Sequence, residues 1–190
     1  MKKLTDLVGN KTYKDLCIIL DTSMSLNPFY ESMIIGADSA FRVGIGDKED
    51  RRYALLTFSK TTKSSGWIPK HRIDEFEEIY NLPPDATELD PKSLKEIIKK
   101  GKNYAALMVT DGYISNSKEV MPLLKKIVKK GNRLGTIFIG HISNEMEELK
   151  DFADVYEITA QGRKDIDREI VSKMDRYSRF VLKGEKKPEY

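Results

Sequence analysis

The sequence predicts an α/β fold in which helices cover both faces of a mainly parallel sheet. Two observations lead to this prediction. Short apolar runs alternate along the chain with segments whose apolar residues recur at helical spacing. Several of these runs are apolar throughout, as expected for strands buried on both faces. Strands that alternate with helices connect through right-handed crossovers and form a doubly wound, mainly parallel sheet.

The predicted elements follow one another in a regular order. A short polar connection joins the second and third strands, which indicates an antiparallel hairpin at a sheet edge. The strands are predicted at residues 16–21, 52–58, 65–68, 104–110, 134–139 and 155–158. Helices are predicted from Asn27-Pro28, at about 73–80, from Asp90-Pro91, and at about 120–128, 145–152 and 166–181. The helix at 120–128 is strongly amphipathic and carries lysines on its polar face.

Length and composition indicate one globular domain. The 190 residues are 39% apolar and 33% charged, which suits a single α/β unit rather than a disordered chain. We divide the chain into an arm or linker at 1–14, a domain at 15–181 and a charged tail at 182–190. The sequence contains no apolar run that could cross a membrane and no apolar stretch of a secretory signal, so we expect a cytoplasmic protein.

Polar side chains follow the first predicted strand directly. Asp21, Ser23 and Ser25 offer hard oxygen donors, which suit Mg²⁺, Mn²⁺ or Ca²⁺. One carboxylate would leave such an ion under-neutralised, so we expect a second. Asp111 supplies it, because it follows the strand at 104–110 and parallel strands present ligands at their carboxyl ends. Thr87 offers a further hydroxyl.

Each of these motifs also has a simpler interpretation. Asp21 and Ser23 are ordinary turn formers, and Thr87 is a candidate cap for the helix that begins near Asp90 and Pro91. The joint occurrence of the motifs, each at the end of a strand or before a helix, favours a metal site.

Taken together, these residues resemble the metal-ion-dependent adhesion site of von Willebrand factor A (vWA) domains, also called integrin I-type domains. Asp21, Ser23 and Ser25, then Thr87, then Asp111 within a Val-Thr-Asp-Gly sequence match that site in order and approximate spacing. The resemblance covers about residues 13–180. It implies a Rossmann-like vWA fold with six strands, in which the strand at 65–68 is the one antiparallel edge strand.

The resemblance also implies a role for each residue. Ser23 and Ser25 would bind the metal through their hydroxyls, while Asp21 and Asp111 would act mainly through ordered water. Thr87 would be a conditional ligand, and a Glu or Asp of a partner protein would complete the metal coordination. The sequence differs from the family at Asp85-Ala86, because a glycine commonly precedes the threonine there.

The function that follows is a metal-dependent protein-interaction module and not an enzyme. For stand-alone intracellular domains of this type, the resemblance implies AAA+ ATPases of the MoxR and magnesium-chelatase kinds as partners. Net charge is only +3 and acidic residues are interspersed with the lysines, so we expect neither a nucleic-acid partner nor a membrane partner.

Two alternatives remain open at this point. The first is a magnesium-dependent phosphohydrolase of haloacid-dehalogenase type, with Asp21 as nucleophile and Asp111 as magnesium ligand. Ser23 stands where that mechanism needs an acidic residue, and a serine hydroxyl cannot protonate a leaving oxygen near neutral pH. The second is a vWA-fold binding protein whose metal site is unused.

Overall fold

The computed structural model describes residues 11–43, 50–80 and 83–188. Its strands are β1 Asp15–Asp21, β2 Arg52–Phe58, β3 Thr62–Ser64, β4 Ile68–Pro69, β5 Tyr104–Thr110, β6 Arg133–Ile139 and β7 Asp154–Ile158. Its α-helices are α1 Tyr30–Val43, α2 Glu77–Tyr80, α3 Pro91–Lys100, α4 Ser117–Lys129 and α5 Arg163–Lys183. Three 3₁₀ segments span Met24–Phe29, Lys70–Phe76 and Asn144–Asp151.

The strands form one mainly parallel sheet in the order β3-β2-β1-β5-β6-β7, with β4 also paired to β2. β1 lies between β2 and β5 and runs parallel to both, so that Leu16 pairs with Tyr53 on one side and with Ala105 on the other. All residues of β1, β5 and β6 are buried, as their apolar runs predict. The predicted α/β class, with helices on both faces of the sheet, is confirmed.

The predicted count of six strands is corrected to seven in the described part of the chain. The expected single edge strand at 65–68 is replaced by two short strands, β3 and β4, each antiparallel to β2. Gly66 separates them, because its φ of +63° turns the chain away from strand geometry. Beside it, the Ser65 hydroxyl accepts a hydrogen bond from the Leu55 amide at 3.0 Å.

Three predicted helical segments are present but are wholly or partly of the tighter 3₁₀ type. The segment expected at 145–152 is a 3₁₀ helix at Asn144–Asp151, and only the last turn of the segment expected at 73–80 is α-helical. The chain around Pro28 is a 3₁₀ turn that leads into α1 at Tyr30. Over one or two turns, apolar spacings of three and four residues do not distinguish the two helix types.

The core consists of two layers, one on each face of the sheet. Alternate residues of β1 divide between them: Leu16, Ile18 and Leu20 pack under α1 and α5, whereas Cys17 and Ile19 pack under α3 and α4. Gly135 of β6 allows α5 to approach closely, since an added Cβ would lie 2.4 Å from the Tyr177 ring. No helix among the described residues is long and apolar enough to span a membrane.

The division of the chain into arm, domain and tail stays a prediction, and residues 1–10 and 189–190 lie outside the described residues. The parts of both ends that are described pack against the domain. The Tyr13 amide donates to the Val181 carbonyl at 2.7 Å. At the other end, α5 continues to Lys183, and the Lys187 ammonium lies 2.6 Å from the buried Asp154 carboxylate.

Two buried arginines differ in how their charge is compensated. Arg133 lies against the fully buried Asp154, with contacts of 2.5 Å and 3.2 Å to its carboxylate. Arg51 is also fully buried, but its only hydrogen bond among the described residues runs from Nη1 to the Tyr13 carbonyl at 3.4 Å. Its Nε and Nη2 atoms have no hydrogen-bond partner there. A buried charge without a counter-ion destabilises a fold, whereas a paired one is costly to break.

We therefore predict opposite effects for the same substitution at these two positions. Arg51→Met should raise the free energy of unfolding by about 1–2 kcal/mol, because it removes a buried charge that has no counter-ion among the described residues but keeps most of the side-chain volume. Arg133→Met should lower it by about 3 kcal/mol, because it weakens the compensation of Asp154. Urea unfolding of both variants measures the difference. A loss of stability in Arg51→Met would show that Arg51 has a carboxylate partner in solution.

Candidate metal centre

The candidate site lies where β1 and β5 end side by side. The two strands are parallel neighbours with Leu20 opposite Val109, so the loops that follow them emerge at the same edge of the sheet. Asp21 is the last residue of β1, and Asp111 directly follows the last residue of β5. The pairing of these two strands therefore sets the position of both acidic residues.

Four of the five predicted site residues form one hydrogen-bonded network. Asp21 accepts the Ser23 amide at 2.9 Å, which folds the loop back onto the end of β1. The Ser23 and Ser25 hydroxyl oxygens are 3.1 Å apart, and the Ser25 hydroxyl donates to Asp111 Oδ2 at 2.5 Å. The structure thus brings both carboxylates and both hydroxyls together, as the sequence predicts.

Burial within the network is graded. Asp21 is fully buried and Ser23 nearly so, whereas Asp111 is half-buried and Ser25 is exposed. The inner residues are positioned by the fold, and the outer oxygens face solvent. A ligand that approaches this edge of the sheet therefore meets the Ser25 hydroxyl and the Asp111 carboxylate first.

Burial raises the pKa of Asp21 to about 6. Hydrogen bonds from Thr110 and Ser23 favour the ionised carboxylate and oppose this rise, while the negative charge of Asp111 adds to it. The two acidic groups therefore repel each other in the ligand-free protein. A divalent cation between them would reverse this repulsion and lower the pKa of Asp21.

Thr110 is a member of the network that the sequence analysis treated only as the end of a strand. Its hydroxyl donates to Asp21 Oδ2 at 2.7 Å and accepts the Gly112 amide at 3.0 Å. It therefore satisfies the second carboxylate oxygen of Asp21 and also shapes the turn that carries Asp111. The signal in the sequence was a threonine between an apolar strand and an Asp-Gly pair.

Thr87 is buried near the network but is not hydrogen-bonded to it. Its carbonyl accepts both the amide and the hydroxyl of Ser115, at 2.8 Å and 2.7 Å, which fastens its loop to the loop after β5. The alternative role of Thr87 as a helix cap is wrong, because Asp90 caps α3 by accepting the amides of Lys92 and Ser93. The structure thus leaves the Thr87 hydroxyl out of the hydrogen bonds that join the other four residues.

Asp85 is the residue that departs from the family pattern, and its carboxylate makes contacts outside the network. Its carboxylate accepts the Ala86 amide at 2.8 Å and lies 3.9 Å from the Lys60 ammonium. Its carbonyl accepts the Met24 amide at 3.3 Å, which holds the threonine loop against the loop after β1. Asp85 therefore contributes to the site through its backbone.

The donor set of this cluster fits a divalent cation. It contains two carboxylates and two hydroxyls, all hard oxygen donors, and Ser25 and Asp111 are open to an approaching ion. Two of these four donors, Asp21 and Asp111, are anionic, so a cation held by this cluster would have few anionic protein ligands and would remain electrophilic.

Gly112 forms the turn that presents Asp111 and adopts a φ of +90°. The Tyr113 amide donates to Asp111 Oδ1 at 3.1 Å, and the Ser143 hydroxyl donates to the Gly112 carbonyl at 2.6 Å. A Cβ added at Gly112 would lie 3.1 Å from the Phe138 ring. Both the backbone conformation and the packing therefore require glycine here.

We predict that Gly112→Ala lowers the free energy of unfolding by about 2 kcal/mol, because it adds a contact with Phe138 to the strain of a positive φ. Gly131→Ala is the matched control. Gly131 has a φ of +79°, but nothing lies within 4 Å of an added Cβ. A loss of about 1 kcal/mol in the free energy of unfolding is therefore expected there. Urea denaturation of both variants measures the difference. Equal losses would mean that Phe138 moves aside without cost.

Comparison with known proteins supports the fold. No protein-family model and no curated protein matches the sequence. A von Willebrand factor type A protein from Catenulispora acidiphila superposes with a TM-score of 0.66 at 12% identity, over 88% of this chain and 43% of that one. The SpRpn10 VWA domain superposes with a TM-score of 0.62 at 15% identity, over 82% of this chain and 94% of that one. The ArnB paralog VWA2 from Sulfolobus acidocaldarius superposes with a TM-score of 0.57 at 17% identity, over 85% of this chain and 45% of that one.

These similarities concern the fold alone, since all three identities are low. This chain spans less than half the length of two of the three structures. The order of strands, the helices on both faces and these superpositions agree with one another. The chain has the α/β fold of von Willebrand factor A domains.

Proposed function

We propose that this protein is a metal-dependent protein-interaction module, in which a divalent cation held at the candidate metal centre binds a Glu or Asp side chain of a partner. The observation that carries the proposal is the network from Asp21 through Ser23 and Ser25 to Asp111, which joins two acidic residues from different strands at one edge of the sheet. If the loops after β1 and β5 were ordinary turns with separate roles, their side chains would not need to hydrogen-bond to each other.

In this proposal, some residues of the network bind the ion directly and others position those ligands. Ser23 and Ser25 supply hydroxyl ligands, Asp21 positions Ser23 through its amide, and Asp111 holds the Ser25 hydroxyl. Thr87 is the conditional ligand from the neighbouring loop. When bound, the cation supplies positive charge that is only partly neutralised by the protein and therefore attracts an external carboxylate.

Mg²⁺ is the proposed ion, with Mn²⁺ or Ca²⁺ as substitutes, because all the donors are hard oxygens. A MoxR-type AAA+ ATPase is the proposed partner on the family resemblance alone, and we place the protein in the cytoplasm. We expect no nucleic-acid partner. The lysines form two sequence clusters, at 99–102 and 125–130, and each cluster contains an ion-paired lysine. Lys100 pairs with Glu96 at 3.3 Å and Lys125 with Glu148 at 2.6 Å.

The phosphohydrolase alternative is disfavoured by the environment of Asp21. A nucleophilic carboxylate must reach the phosphorus atom of its substrate, yet Asp21 is fully buried. Its two oxygens also accept hydrogen bonds from the Ser23 amide and the Thr110 hydroxyl. This arrangement suits a residue that holds a loop in place rather than one that attacks a substrate.

The metal site is tested by thermal unfolding in EDTA and in excess Mg²⁺. At about tenfold excess over the dissociation constant, Mg²⁺ should stabilise the protein by about 1.4 kcal/mol, or about 4 °C in unfolding temperature. Asp111→Asn and Ser25→Ala should each abolish most of this increment, because each removes a donor from the cluster.

Ser59→Ala is the matched control for this measurement. Ser59 follows β2 at the same edge of the sheet, and its hydroxyl donates to the Pro83 carbonyl rather than to the network. This variant is expected to unfold at a lower temperature and to keep the full response to Mg²⁺. An equal response in all the variants would refute the metal site but leave the fold intact.

We also predict that the protein does not hydrolyse phosphate esters. The rate of p-nitrophenyl phosphate hydrolysis in Mg²⁺ should equal that of buffer, because Asp21 is inaccessible to the substrate. A rate above buffer that disappears in Asp21→Asn would favour the phosphohydrolase instead. The same rate in wild type and variant would point to a contaminating enzyme.

A further inference from the structure

A groove runs from the candidate metal centre along one side of α4. It consists of two adjoining cavities of about 450 Å³ and 470 Å³, which share Ser117, Lys118 and Glu145 in their walls. The near cavity includes Gly112 and Tyr113, and the far cavity includes Met121 and Pro122. The shared residues make the two cavities parts of one elongated depression, which we call the α4 groove.

The α4 groove begins directly at the metal centre. Gly112 and Tyr113 follow Asp111 in the chain, and the Tyr113 side chain is 64% exposed at the mouth of the groove. On the opposite wall, the Ser143 hydroxyl bonds the Gly112 carbonyl, and Glu145 comes two residues later. A segment whose side chain reached the metal can therefore extend into the α4 groove.

The near part of the α4 groove carries uncompensated negative charge. Glu119, Glu145 and Lys118 line this part, so two acidic residues stand against one basic residue. Among the described residues, the Glu119 and Glu145 carboxylates have no ion-pair or hydrogen-bond partner. In the far part, the charges of Lys125 and Glu148 cancel because the two side chains pair at 2.6 Å. The near part is therefore complementary to a positively charged side chain.

The far part of the groove offers apolar surface, because Met121 and Pro122 line it. An apolar side chain of a partner can pack on these two residues.

We propose that the α4 groove binds an extended segment of a partner protein in which a Lys or Arg lies within a few residues of the acidic residue that reaches the metal. The basic side chain pairs with Glu119 and Glu145, and a neighbouring apolar side chain packs on Met121 and Pro122. The acidic contact rests on the proposed function, whereas the basic contact depends only on the charge of the groove.

The test is a selection of random displayed peptides on the immobilised full chain in Mg²⁺, with bound peptides recovered first by EDTA and then, where EDTA does not release them, by acid. The recovered peptides should pair an Asp or Glu with a nearby Lys or Arg. For one such peptide, Glu145→Lys should weaken binding about tenfold in fluorescence anisotropy, because attraction becomes repulsion. Glu31→Lys, an equal charge change at an exposed position of α1 outside the groove, should leave binding unchanged.

The outcomes separate this proposal from the proposed function. Acidic peptides without a basic preference, or a basic preference that survives in Glu145→Lys, would overturn the α4 groove proposal and keep the metal-dependent function. Peptides that stay bound in EDTA but are lost in Glu145→Lys would support the groove and contradict the metal contact. Recovery of no peptide from a protein that Mg²⁺ stabilises would overturn the groove proposal alone.

Discussion

The parallel pairing of β1 with β5 is the constraint on which the rest of the site depends. Both strands are buried along their whole length, so a shift of one residue would turn every side chain to the opposite core layer. The register is therefore fixed by packing on both faces, with Leu20 opposite Val109. This register sets Asp21 beside Thr110 and brings Asp111 within reach of Ser25.

A buried carboxylate at the end of a central strand is costly unless it serves the fold or a ligand. Asp21 is fully buried beside a second acidic residue, and its pKa is raised to about 6. The hydrogen bonds from Ser23 and Thr110 offset part of this cost. The described residues that shift the pKa of Asp21 include no basic side chain. A bound cation would offset the rest, because its positive charge would favour the ionised carboxylate.

The sequence alone predicted the parts of the site that depend on strand ends and motifs. Asp21, Ser23, Ser25 and Asp111 came together because buried strands place their carboxyl ends at one edge of the sheet. It did not predict the role of Thr110, because that role depends on which way one side chain turns across two strands. The split of the edge strand at Gly66 was missed for a similar reason, since glycine permits but does not require a positive φ.

The metal centre and the α4 groove would contribute differently to recognition. A cation with few anionic ligands attracts any accessible carboxylate, so the proposed metal centre alone would give affinity with little choice among partners. The groove would add discrimination, because Glu119 and Glu145 would repel segments that are acidic throughout. A partner with neighbouring charges of opposite sign satisfies both surfaces at once. The selectivity of this fold would then reside in α4 and in the loop before it, while the sheet edge supplies the attraction.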